Sequence, residues 1–180
     1  PSLVSSLMAI ATDGASAPSD SKMQETCVLA LALLGRIPHE DCSSLVVSAL
    51  IRCLFAPHVF IRALVCAETI QLAVYRRCTT FQLFAQHLHI VCHVAIHASR
   101  GMMHALSDIA RLVNMPGPTF LQATLGYTLP LLLERMALGQ ATAQAEMEAM
   151  AATVGQSVPA ICLAHVSDVF QHAFLQPSDV

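Results

Sequence analysis

Charge is scarce in this sequence. Lysine and arginine total nine, aspartate and glutamate 12, among 180 residues, and the formal net charge is −3. Cations spread this thinly leave no electrostatic footprint for nucleic acid. The CxxC pairs of a zinc ribbon are also missing, although seven cysteines occur, at Cys27, Cys42, Cys53, Cys66, Cys78, Cys92 and Cys162. Odd in number and scattered, they exclude a disulfide framework. They read as small buried hydrophobes of a reducing cytosol or nucleus. No Gly-rich phosphate loop, HExxH or GxSxG is present, and no stretch alternates as a strand does. Long apolar runs are lacking too. CVLALALL stops at Gly35-Arg36, and the stretch from Leu45 to Tyr75 is broken by Arg52, Pro57, Arg62 and Glu68. A spanning helix needs about 20 nearly uninterrupted apolar residues, so no membrane role is expected. The opening PSLVSSLMAIATDG carries no basic leader of the signal-peptide kind and reads as an internal edge of a longer chain.

What the chain has instead is apolar surface. Hydrophobic residues make up 55 %, charged residues 12 %, and the mean hydropathy is +0.60. Such a chain buries enough surface to offset its ordering entropy. It is also apolar enough to imply that neighbours outside it cover part of its surface. Its length fits one domain or a stretch of a repeat array.

The periodicity is helical throughout, and turn residues divide it into helices of about 12–20 residues. The first complete helix is expected over Ser21–Leu34, with Gly35 in the left-handed stop position. The next covers Asp41–Phe55. Another opens at Pro57 and ends near Arg76-Arg77, where two cations suit the negative end of its dipole. Thr79 or Thr80 caps a helix running to Ser99. Gly101–Asn114 is amphipathic, with Met102, Met103, Leu106, Ile109, Ala110 and Val113 on one side. Pro118–Leu138 contains Pro130 as an expected kink, and Ala141–Val154 and Pro159–Leu175 close the series. The last helix has Cys162, His165, Val166, Val169, Phe170 and Ala173 as its stripe. Paired, these helices start units near Ser21, Pro57, Gly101 and Ala141, a rhythm of about 36–44 residues that matches HEAT-type hairpins. The expectation is an all-α fold, with 1–20 the end of a preceding helix and a linker, and 21–176 about four hairpins of an α-solenoid. Pro57–Tyr75 is apolar nearly all round, as an inner helix of a solenoid is.

The stretch HLHIVCHVAIHASRGMMH concentrates histidine at His87, His89, His93, His97 and His104. Residues four apart share a helix face, so His89/His93 or His93/His97 could each hold an ion as a pair. His89 and His97 lie eight apart, roughly 12 Å along the axis, beyond the reach of one zinc. No carboxylate completes a set within that helix, and Cys92 faces away from His93. The histidines therefore read as a packed or half-exposed face. Glu146 and Glu148 point in different directions and read as a solvated face. Met136, Met147 and Met150 read as core or interface filler. No catalytic, cofactor-binding or metal-ligating residue is expected, and the protein-facing residues are not legible.

The order of certain phrases goes further. CVLALALLGRIPHEDCSSLVVSALIRCLFAPHVFIRALVCAETIQLAV resembles the UME region in the middle of ATR-type checkpoint kinases, where a helix ending in a Gly-Arg pair leads into a Leu-rich helix, a short break and an Ala-rich helix. ALSDIARLVNMPGPTFLQATLGYTLPLLLERMAL looks like that region's later hairpin, and TVGQSVPAICLAHVSDVFQHAFL is similar to its closing one. The likeness runs from Cys27 to Phe174, departing at the short link His97–Gly101, where relatives carry a longer loop. It implies a fragment of a large nuclear serine/threonine kinase of the phosphatidylinositol 3-kinase-related class, acting in DNA-damage and replication-stress signalling. The partners implied are neighbouring repeats of the parent, the ATR-interacting protein or a second kinase protomer. No cofactor and no catalytic residue carry over, because the kinase motifs are absent. Two rivals remain: a HEAT-type adaptor or transport-receptor fragment unrelated to kinases, and a small helical metalloenzyme built on the histidines. A solenoid segment cut from its neighbours is also expected to associate, through Leu29, Leu33 and Leu34 at one end and Val166, Val169 and Phe170 at the other.

Overall fold

Thr79 shows a local signal becoming structure. Its Oγ1 accepts the Gln82 N–H at 3.0 Å, and its own N–H donates to Gln82 Oε1 at 2.8 Å. This capping box opens a helix over Thr80–Ala85. The computed structural model describes residues 3–12, 18–37, 40–98 and 100–175. Among them lie eleven helices and no strand, so the chain is all-α. The helices are α1 (Leu3–Thr12), α2 (Pro18–Gly35), α3 (Glu40–Cys53), α4 (Val59–Tyr75), α5 (Thr80–Ala85), α6 (Leu88–Ile96), α7 (Met102–Leu112), α8 (Gly117–Ala137), α9 (Ala141–Val154), α10 (Val158–Ala164) and α11 (Val166–Leu175).

The chain divides into two compact units, Pro1–Val91 and Cys92–Val180. In the first, α1 packs on α2 and α3, α2 on α3 and α4, and α4 on α3 and α5. Val28, Leu31, Leu50, Ile51, Leu72 and Phe84 are fully buried there. In the second, α8 packs against α7, α9 and α11, and α9 also meets α7 and α10. Its fully buried side chains include Met102, Leu106, Phe120, Leu125, Leu129 and Met150. The stretch 1–20, expected as a helix end and linker, contributes α1 to the first unit. Residues 13–17 of that stretch, and Ser99 at the expected end of the histidine helix, lie outside the described residues.

Three expectations change. The histidine helix is two helices, because the His87 N–H bonds to the Phe84 carbonyl three residues back, at 2.8 Å. That tightens the end of α5, and the His87 carbonyl then accepts from Ile90 and Val91 to start α6. The last helix divides likewise at His165, whose φ of −113° leaves the helical range. Apolar periodicity runs through both breaks and does not register them.

The third change concerns Gly35. It is the last residue of α2 and is not among the glycines with positive φ, which are Gly101, Gly139 and Gly155. Its need is for space. A β-carbon there meets Val46 Cγ1 at 3.0 Å and Leu72 Cδ2 at 3.1 Å. The residue expected as a conformational stop is instead a point of close packing, where Val46 of α3 and Leu72 of α4 lie against its backbone.

Candidate functional site

The few charged groups act mainly at helix ends. Arg76, at the end of α4, donates to the Gly35 carbonyl that terminates α2 and to Ser43 Oγ on α3. Its cation thus serves the negative end of a neighbouring helix as well as lying at that of its own. Arg62 donates to the carbonyls of Ala56 and Pro57, at 2.8 and 2.7 Å, fastening the turn before α4. Arg36 faces Glu68 at 3.5 Å.

The second unit has a denser version. Arg135 on α8 donates to the Ile96 carbonyl at 3.2 Å, to Glu146 Oε2 at 2.8 Å and to Gln140 Oε1 at 2.6 Å. Glu146 turns its other oxygen to the Met102 N–H at 3.2 Å, capping the start of α7. Both charged side chains are only 17 % exposed. Glu146 is therefore not on a solvated face. Glu148, two residues on, is exposed and accepts from Gln144 at 3.0 Å. The difference is the presence of Arg135, which sequence spacing does not reveal.

The histidines are dispersed in role. His87 is buried, 7 % exposed, with Nδ1 at 3.4 Å from Ser48 Oγ. His89, His93 and His97 are exposed on α6 and the turn after it, and His104 is exposed on α7. The rings of His93 and His97 meet edge to face at 5.3 Å. Two imidazoles supply half of a tetrahedral set. Among the described residues, no three His, Cys, Asp or Glu side chains gather as a metal site. His165 lies in the second unit, bonded through Nδ1 to Asp168 Oδ2 at 2.7 Å.

Burial pushes the His87 imidazole below its ordinary pKa, and His89 beside it adds to the effect. The unfolded chain therefore takes up a proton first as pH falls below about 6.5, while the folded chain resists. This contribution to stability is whole above that pH and is lost as pH drops through the lowered folded value. Urea midpoints measured from pH 7 to 5.5 are expected to fall, and His87→Asn to flatten that slope. An unchanged slope in the variant excludes His87 as the source.

Two of the described cysteines are poor nucleophiles. Burial raises the thiols of Cys53 and Cys92 to about 12, with Cys27 adding to the shift at Cys53. Cys92 lies with Sγ 3.9 Å from the Thr124 carbonyl. Thiolate, the nucleophilic form, is scarce at these positions. Met147 and Met150 are core residues, whereas Met136 is 37 % exposed.

Several large apolar side chains remain open. Leu29 and Leu33 on α2 are 39 and 60 % exposed, and Val166 and Phe170 on α11 are 46 and 57 % exposed. Leu34 and Val169 are half-buried. α4 adds Val59, Phe60, Ile70, Val74 and Tyr75. No helix among the described residues is long and apolar enough to cross a membrane. The arrangement defines an all-helical protein with large apolar side chains exposed on α2, α4 and α11. No family model matches the chain, and no curated protein or solved structure matches it either.

Proposed function

We propose that this chain is a non-catalytic, HEAT-like scaffold segment of an ATR-type nuclear serine/threonine kinase, of the UME kind, serving DNA-damage and replication-stress checkpoint signalling. The observation that carries the reading is the order of the resembling phrases on successive helices. CVLALALLG completes α2, SSLVVSALIRC lies in α3, and VFIRALVCAETIQLAVY is α4. Pro116 caps α8, which carries Pro118 in its first turn, and the closing phrase spans α10 and α11. The open apolar faces of α2 and α11 support neighbouring repeats of the parent as partners, with the ATR-interacting protein or a second kinase protomer beyond them. Nuclear location follows from the same reading.

The test is the coding sequence that flanks the segment. It is expected to continue into further helical repeats and, downstream, into kinase loops carrying a catalytic aspartate and metal-binding residues. A frame that closes shortly after residue 180, or continues without those loops, removes the kinase reading. The second reading, a HEAT-type adaptor unrelated to kinases, draws support from the open face of α4, which suits a protein-binding module. A continuation made only of helical repeats selects it.

A further inference from the structure

α4 has two apolar faces. Ile61, Val65, Thr69, Leu72 and Ala73 are buried. Phe60, Ala63, Ala67, Ile70 and Val74 are all exposed, Phe60 by 82 %, Ile70 by 44 % and Val74 by 67 %. At 3.6 residues per turn the mean directions of the two sets lie about 170° apart. The second set therefore cannot share the packing of the first. Its steps of three, four, three and four residues are those of a seam between paired helices. Leu64, Cys66 and Gln71 flank it, and none carries a charge. Of the charged residues nearby, Arg62 is engaged with the carbonyls of Ala56 and Pro57, Glu68 with Arg36 and Arg76 with the Gly35 carbonyl, while Arg77 is exposed just past the end of α4. The face neither attracts a charged ligand nor repels a copy of itself.

We propose that this seam binds a second copy of the chain, the two α4 helices running antiparallel about a two-fold axis. The pattern is its own complement. In that pairing Ala67 stands opposite Ile70 of the partner subunit, and Ala63 opposite Val74 of the partner subunit. Each small residue then receives a large one, the arrangement that lets facing layers interdigitate. The two-fold repeats the same pairs on the other side of the axis. Val59, Phe60, Ile70, Val74 and Tyr75, exposed by 60, 82, 44, 67 and 60 %, present roughly 600 Å² per copy, counting an aromatic side chain at its usual area. Two copies remove about 1,200 Å², the lower end of specific interfaces. Association is weak and reversible at that size. The seam is read from α4 alone and gives a place to the second protomer of the kinase reading, which the flanking sequence tests separately.

The test uses the full chain carrying Leu33→Glu and Phe170→Glu, which make the exposed faces of α2 and α11 polar. Sedimentation equilibrium from micromolar to hundreds of micromolar is expected to give a mass that rises with concentration toward twice the 19.3 kDa chain mass. Adding Ala67→Glu, at an exposed position, places like charges across the seam and raises Kd by more than about 100-fold. The pair Ala67→Glu with Ile70→Lys restores the dimer, because each introduced carboxylate then faces the introduced ammonium of the other copy. If Ala67→Glu lowers the helical circular dichroism, Val74→Lys provides the same disruption at the helix end. Three results overturn the proposal. They are a monomer before the seam is touched, a dimer that survives both Ala67→Glu and Val74→Lys, and a double variant that stays monomeric. A monomer that instead captures an unrelated amphipathic helix counts among the first.

Discussion

Leu72→Ala is expected to destabilise the first unit by about 4 kcal/mol, in the upper part of the range for buried leucines. Leu72 is fully buried, and its two δ-methyls lie 3.1 and 3.3 Å from where a β-carbon on Gly35 would stand. The wall beside the deleted methyls is therefore a glycine, which has no side chain to relax into the void. Gly35→Ala in the same chain refills part of it and recovers about 1 kcal/mol, a coupling that a double-mutant cycle reads directly. Recovery is partial because Val46 Cγ1 still stands 3.0 Å from the new methyl. In the parent chain Gly35→Ala alone destabilises by about 1–2 kcal/mol through overpacking. Amide hydrogen exchange should quicken across α2, α3 and α4 in Leu72→Ala and remain as it was across α7, α8 and α9. Recovery as large as the original loss contradicts the account of the void.

Arg135→Met is expected to cost about 3 kcal/mol, located in the second unit. The substitution keeps the length and apolar stem of the side chain but strands Glu146, which is 17 % exposed and then has no cation to compensate its charge. It also removes donors from the Ile96 carbonyl and from Gln140. Adding Glu146→Gln to Arg135→Met removes the stranded charge and keeps an oxygen for the Met102 N–H, so about half of the loss returns. Arg135→Lys rescues poorly, since one ammonium cannot follow the directions a planar guanidinium reaches. Guanidinium chloride is unsuitable as denaturant because it screens the pair; urea melts followed with hydrogen exchange in α7 and α9 read the effect. A loss equal in Arg135→Met and in the double variant removes the stranded-charge explanation.

These two sites also mark where the sequence was readable and where it was not. Helix α9 has the bounds expected of it because Gly139 and Gly155, at φ of 74° and 70°, bracket it by local conformation alone. The Thr79 cap is equally local. Gly35 looks the same to a sequence reader as Gly155 does, yet its requirement comes from Val46 and Leu72, which are distant along the chain. Glu146 carries no sign of Arg135 eleven residues earlier. The breaks at His87 and His165 are made by the backbone, through a three-residue hydrogen bond at the first and a non-helical φ at the second, beneath an uninterrupted apolar pattern. For α4, composition reveals apolar residues on all sides, but only coordinates separate the side covered within the chain from the side left open. An inner helix is expected to be buried on more than one side, and the chain itself buries only one side of α4.

The arginines at 36, 62, 76 and 135 have a consequence for behaviour in solution. Nine cations is a small supply for 180 residues, and these four bind carbonyls and carboxylates within the fold. Their guanidinium groups are therefore held by the fold itself and are not free to reach toward a partner. The sequence isoelectric point is about 6.3. Just below neutral pH the net charge therefore approaches zero, and molecules meet with little long-range repulsion to offset contact between the apolar side chains exposed on α2, α4 and α11.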